Sequence, residues 1–147
     1  MKNAFLLVWI IFVLFSCTKV NPAANSQVLL DTDIAFSDYS VKNGIHKAFI
    51  EFAHDSVVLL KAKRMPIVGK QSLIESYIGK SDSGVMLTWK PAKAIIAESE
   101  EMGFTYGFWL SVSQADTSRG TYLTIWKKNS NGQWKYIADT GNEGLGN

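Results

Sequence analysis

The sequence predicts an α+β domain, and three observations carry the prediction. Helical periodicity occupies the first half of the chain. A run of alternating, β-branched and aromatic segments occupies the second half. No repeat of 20 to 50 residues, the signature of a solenoid, is present. From Gln27 to Val41, the apolar residues Leu29, Leu30, Ile34, Phe36 and Val41 recur at mostly helical spacing, with Asp31, Asp33 and Asp38 between them. This predicts one amphipathic helix with its aspartates toward water. Asn43-Gly44 interrupts it, and Ile45, Phe49 and Phe52 then share a face of a second, short helix. Ser56–Leu60 (SVVLL) reads as a buried strand. Gly69 opens a third helix whose Leu73, Ile74, Tyr77 and Ile78 lie together, with Gly79 placed as a C-terminal cap.

Beyond Gly84 the period changes. Met86–Lys90, Ala92–Glu98, Phe104–Ser113, Thr121–Lys128 and Gln133–Asp139 read as successive strands, with Asn131-Gly132 as the turn of the last hairpin. Three helices followed by a mostly antiparallel meander place the helices over one sheet face.

Composition excludes several classes of function. The 147 residues carry 15 basic and 13 acidic side chains, a balance too even for the basic footprint of a nucleic-acid binder. A single cysteine excludes a disulfide framework and a four-thiolate zinc site. His46 and His54 lie eight apart without a glutamate at ligand spacing, so a zinc site is not expected, and no cofactor motif is present. Ser16, Ser37 and Ser111 show no histidine and acid partners for nucleophilic catalysis.

Ala4–Phe15 is an unbroken apolar run behind Lys2, shorter than the about 20 residues of a spanning helix and suited to a signal peptide. It ends in Leu14-Phe15-Ser16-Cys17, which resembles the bacterial lipoprotein box. That resemblance implies cleavage after residue 16 and lipid on Cys17. Several acyl chains at about 0.8 kcal/mol per buried CH₂ anchor stably where one does not. Thr18 stands where an aspartate would signal inner-membrane retention, so the expected location is the outer membrane, facing the periplasm. Residues 17–26 then read as a lipidated tether, 27–142 as the domain and 143–147 as a flexible tail.

Phe36-Ser37, Gly44 with Ala48-Phe49, Asp55 with Val57–Leu60, Pro66–Lys70, Gly103–Gly107, Gly120–Lys128, and Gly132–Lys135 through Asp139 together carry a family likeness. They resemble the SnoaL-like domains, and more narrowly domain-of-unknown-function family 4440, within the nuclear transport factor 2-like superfamily that includes ketosteroid isomerase. The resemblance implies a cone, with a curved sheet wrapped around three helices, a central pocket and, in many members, a homodimer formed through the sheet. The isomerase needs a base carboxylate and two oxyanion donors. Aligned onto this chain, those positions fall on Leu60, Phe36 and Thr124, none of which can take the original role.

What remains is a pocket for a small, mostly apolar molecule, with binding favoured over catalysis. The expected lining is Phe36, Phe52, Leu60, Met65, Trp109, Tyr122, Thr124, Trp126 and Asp139, in which Tyr122, Thr124 and Trp126 alternate onto one strand face. The competing reading is that these aromatics simply fill the core or a dimer interface. Asp139 is the one candidate acid or base, for a lyase, isomerase or hydrolase reaction, if it points inward; otherwise it caps the turn at Thr140-Gly141. Lys61, Lys63 and Arg64 form a basic cluster, read as a solvated face or as an anion contact.

Overall fold

The structure is a computed structural model that describes residues 22–145, with side chains described from Ser26 onward. Its elements run α1 (Pro22–Asn43), α2 (Ile45–Phe52), β1 (Ala53–Leu60), β2 (Ile67–Val68), α3 (Lys70–Tyr77), β3 (Val85–Ile96), β4 (Met102–Ser113), β5 (Thr117–Lys128) and β6 (Trp134–Glu143). The strands form one curved, unclosed sheet in the order β2-β1-β6-β5-β4-β3. Every neighbouring pair is antiparallel except β1 with β6. Cys17 and residues 1–16 lie outside the described residues. Residues 22–26, expected in the tether, already belong to α1.

The buried stripe of α1 differs from the predicted one. Leu29, Asp33, Phe36, Ser37 and Ser40 are buried, whereas Ile34 is 41% exposed and Val41 54%. The polar residues go inside because they meet an edge. β3 ends the sheet, so the main-chain groups on its outer side lack a strand partner. Ser37 Oγ accepts the Trp89 N–H (2.8 Å), and Ser40 Oγ donates to the Leu87 carbonyl (3.2 Å). The helix thereby closes the open edge with side chains, and its burial stripe is set by hydrogen bonding as much as by hydropathy.

The strand after α2 begins at Ala53 rather than residue 56, and its interior residues are Ala53, Val57 and Leu59. A second correction concerns Pro91, read as a break between two strands. It lies within the single strand β3, beside a register shift between Pro91 and Lys93 and opposite Gly107. An edge strand tolerates a residue without an N–H, and a Cβ on Gly107 would stand 2.1 Å from the Lys90 carbonyl oxygen. The last hairpin turns as Asn129–Gly132, with the Gly132 N–H on the Asn129 carbonyl (2.9 Å) and Gly132 at φ 75°. Only Gly132, not Asn131, takes the left-handed conformation.

The core is aromatic and centred on Phe36. Its ring stacks on Phe52 (4.8 Å between centroids) and Tyr136 (5.4 Å), and meets Phe49 (5.0 Å) and Trp89 (4.6 Å) edge-on. The polar tips are satisfied, with Tyr136 donating to the Phe49 carbonyl and Trp126 Nε1 to Thr105 Oγ1, both at 2.8 Å.

Candidate functional site

Strand alternation directs rows of side chains to the concave face. Register places Leu87, Ser111 and Ser118 in one row, Trp89, Trp109 and Gly120 in the next, then Gly107, Tyr122 and Gly141, then Thr105, Thr124 and Asp139. Between these rows and the α1 and α2 rings Phe36 and Phe49 lies a cavity of about 330 Å³, a volume suited to a small organic molecule. Trp109 forms one wall. Its Nε1 donates to the Thr121 (3.1 Å) and Asn142 (3.2 Å) carbonyls, and its ring packs close against Gly120, where a Cβ would come within 2.8 Å of it.

Two carboxyl groups govern the electrostatics. Asp139 does not end its strand, since β6 continues to Glu143, so the turn-cap reading fails and the residue faces inward. Its carboxyl accepts a 2.6 Å hydrogen bond from Thr124 Oγ1. The side chain keeps some accessible surface toward the cavity, yet protein crowds its carboxyl group. Burial above all, with the neighbouring Asp33 charge, pushes it up to about 6, against the lowering pull of Thr124 and Lys61.

Asp33, on α1, is fully buried and accepts from Tyr122 Oη and Trp89 Nε1, both at 2.7 Å. Burial raises its pKa, and hydrogen bonds from Tyr122, Thr105 and Trp89 oppose the rise. Burial first, then the Asp33 charge, pushes the Tyr122 phenol upward, so it stays protonated and donates. Asp33 thus locks two cavity walls in place.

Of the expected lining, Phe36, Trp109, Tyr122, Thr124 and Asp139 border the cavity, while Phe52, Leu60, Met65 and Trp126 do not. Leu60 is 42% exposed because β1 sends Val57 and Leu59 inward, and a one-residue offset reverses a strand's faces. Leu59, the residue paired with Asp139, is equally without a proton to exchange. Met65 is 85% exposed in the loop before β2. Phe52 packs behind Phe36, and Trp126 is sealed in the core.

Phe49, Leu87, Trp89, Ser111, Ser118, Thr140 and Gly141 complete the wall. The spacing i, i+2 from Trp109 reaches Ser111, and the same spacing links Leu87 to Trp89. Asp33 offers no such signal, since an aspartate among leucines reads as the wet face of a helix. Among the described residues no cluster of three or more His, Cys, Asp and Glu side chains is arranged to hold a metal. His46 stacks on Tyr77 (4.1 Å), and His54 Nδ1 accepts the Ser56 N–H.

No family model matches the sequence, and no curated protein matches it. Solved structures do. A putative ketosteroid isomerase from Parabacteroides distasonis is 15% identical with a TM-score of 0.64, covering 80% of this chain and 89% of its own. A ketosteroid isomerase-like protein from Erwinia carotovora is 16% identical with a TM-score of 0.63, covering 79% and 94%. A nuclear transport factor 2-like superfamily protein from Salmonella enterica is 15% identical with a TM-score of 0.61, covering 84% and 96%. The chain has the nuclear transport factor 2-like, ketosteroid isomerase-like fold, with helices packed on a curved and mostly antiparallel sheet.

Proposed function

We propose that this chain is a SnoaL-like cell-envelope lipoprotein, anchored through lipid on Cys17, whose cavity binds a small, mostly apolar molecule without ketosteroid isomerase chemistry. One observation carries the binding reading. The cavity surface is mostly apolar, from aromatic rings and Leu87, with Asp139 and Thr124 forming a polar pole at one side and the Ser111 and Ser118 hydroxyls a smaller one in another row. A guest burying an apolar body there gains about 25 cal/mol per Å² and directs one polar group at that pole. Neither Leu60 nor its inward neighbour Leu59 can act as a base, Phe36 has no hydroxyl to donate, and the Thr124 hydroxyl is already given to Asp139, which together support the loss of the isomerase reaction.

The anchor rests on the Leu14–Cys17 pattern and the apolar run before it, and outer-membrane location on Thr18. A second reading is favoured by the position of Asp139. A cavity carboxyl pushed up to about 6 can take or give a proton near neutrality, which suits a lyase, isomerase or hydrolase. The outer sheet face, bearing exposed Tyr106, Phe108, Leu110 and Leu123, supports a homodimer.

The test is native mass spectrometry of the full chain extracted from the membranes of its own host. The expected spectrum shows an N-terminus cut before Cys17 and carrying acyl mass, with a small molecule retained by the folded domain and lost on unfolding. That molecule, added back, raises the melting temperature of emptied protein. An unmodified Cys17 overturns the anchor; an empty domain that no metabolite stabilises overturns the binding site. Turnover of the retained molecule, abolished by Asp139→Asn while binding persists, favours the enzyme.

A further inference from the structure

We propose that a second cavity, between the end of β1 and α3, binds a phosphate group carried by a small organic molecule. The cavity measures about 380 Å³ and is lined by His46, Lys61, Arg64, Tyr77 and Lys80 with Ile67 at its side. Two segments, the loop after β1 and the segment after α3, bring three fixed cations together. Lys61 leaves the end of β1, Arg64 follows in a turn closed by its N–H on the Lys61 carbonyl (3.3 Å) with Lys63 left-handed at φ 57°, and Lys80 follows α3.

No carboxylate lines the cavity, and among the described residues none of the three cations is in an ion pair. The acidic groups within reach are engaged elsewhere. Asp82 accepts the His46 N–H (2.9 Å) and lies 3.9 Å from His46 Nδ1, while Asp139 is bonded to Thr124 in the first cavity. The Lys61 side chain as a whole is exposed, yet protein crowds its ammonium, and that crowding first, then the charges of Arg64 and Lys80, lowers its pKa against a weaker opposing pull from Asp139. The ammonium therefore sits in a field of its own sign. A dianion at this place reverses that repulsion into attraction.

The donors suit phosphate. Arg64 offers a planar fork, and Lys61 and Lys80 offer point charges. Lys61 Nζ donates to Tyr77 Oη (3.4 Å), and burial keeps Tyr77 protonated, leaving its hydroxyl proton for an oxyanion. Lys80 is held by donating to the Ser76 carbonyl. The remaining space is walled by Ile67 and the stacked His46 and Tyr77 rings, which provides for an organic substituent.

The experiment titrates the full chain, held in a neutral detergent, with inorganic phosphate by calorimetry. Saturable binding is expected, weakened about tenfold by Arg64→Ala and by Lys80→Gln, both surface substitutions that leave the melting temperature intact, and unchanged by Lys47→Gln on the exposed side of α2. Glycerol phosphate and vesicles containing phosphatidic acid are then compared. Tighter binding of glycerol phosphate identifies a soluble phosphate ester as the ligand, and tighter binding of vesicles identifies a lipid headgroup. Failure of phosphate to bind, or equal weakening by Lys47→Gln, overturns the proposal.

Discussion

Asp139 is the residue on which the chemistry of the first cavity turns. Its folded pKa of about 6 stands above the ordinary 3.8, so its contribution to stability is complete below about pH 4 and fades as pH rises through 6. About two pH units at 1.36 kcal/mol each bounds the effect at roughly 3 kcal/mol. Asp139→Asn keeps an acceptor for Thr124 Oγ1 and removes the buried charge. The variant should match the wild type at pH 4 and be more stable by up to that amount at pH 7.5, measured as the difference between thermal unfolding curves across the pH range. Curves that stay superimposed at pH 7.5 would show a carboxyl that burial does not perturb. The inward direction of Asp139 was not legible in the sequence because Thr140-Gly141 has the chemistry of a turn. Pairing with β5, through Thr124 at residue 139 and Tyr122 at residue 141, carries the strand onward. Tyr122 and Thr124 were legible because alternation along a regular strand is enough to place them.

At the scale of the element, α1 shows where periodicity misleads. Hydropathy marks Ile34 as core and Asp33 as surface, and the structure reverses them. A hydrophobic pattern records only the transfer of carbon from water, whereas α1 must also satisfy the open edge of β3 and the tips of Tyr122 and Trp89. Asp33→Ala should therefore cost roughly 3 kcal/mol by leaving two buried donors unpaired, while Ile34→Ala costs under about 1 kcal/mol. Denaturant unfolding of the two variants decides, and a larger loss for Ile34→Ala would restore the hydropathic reading. Ser37→Ala should in addition speed hydrogen exchange at the Trp89 amide without touching amides of β5. The same limit explains Pro91. Its missing N–H forbids a central strand but not an edge, and strand order is a property of long-range pairing that local residues do not display.

For the whole molecule, the decisive asymmetry is between the two faces of the sheet. Helices cover the concave side, while the outer side carries the pairs Phe104–Ile125 and Tyr106–Leu123 in adjoining rows, with Phe108 and Leu110 continuing β4. Phe108 is 53% exposed. Lys90, Lys93 and Arg119 stand beside Phe108, Tyr106 and Leu110 on the flanking strands, so charge fringes an apolar strip, as in the rim and core of an interface. A contiguous apolar strip of this kind is uncommon on a monomer, and a two-fold copy presents the same strip in return. The full chain in a density-matched neutral detergent should sediment as a dimer, and Phe108→Glu as a monomer. Because residue 108 points away from the rows of Gly107 and Trp109, the variant should retain the stabilisation conferred by a cavity ligand. A wild-type chain that sediments as a monomer at micromolar concentration would remove the dimer. A Phe108→Glu monomer that also loses ligand stabilisation would instead show that a second copy holds the cavity's shape, because the same strands carry both faces.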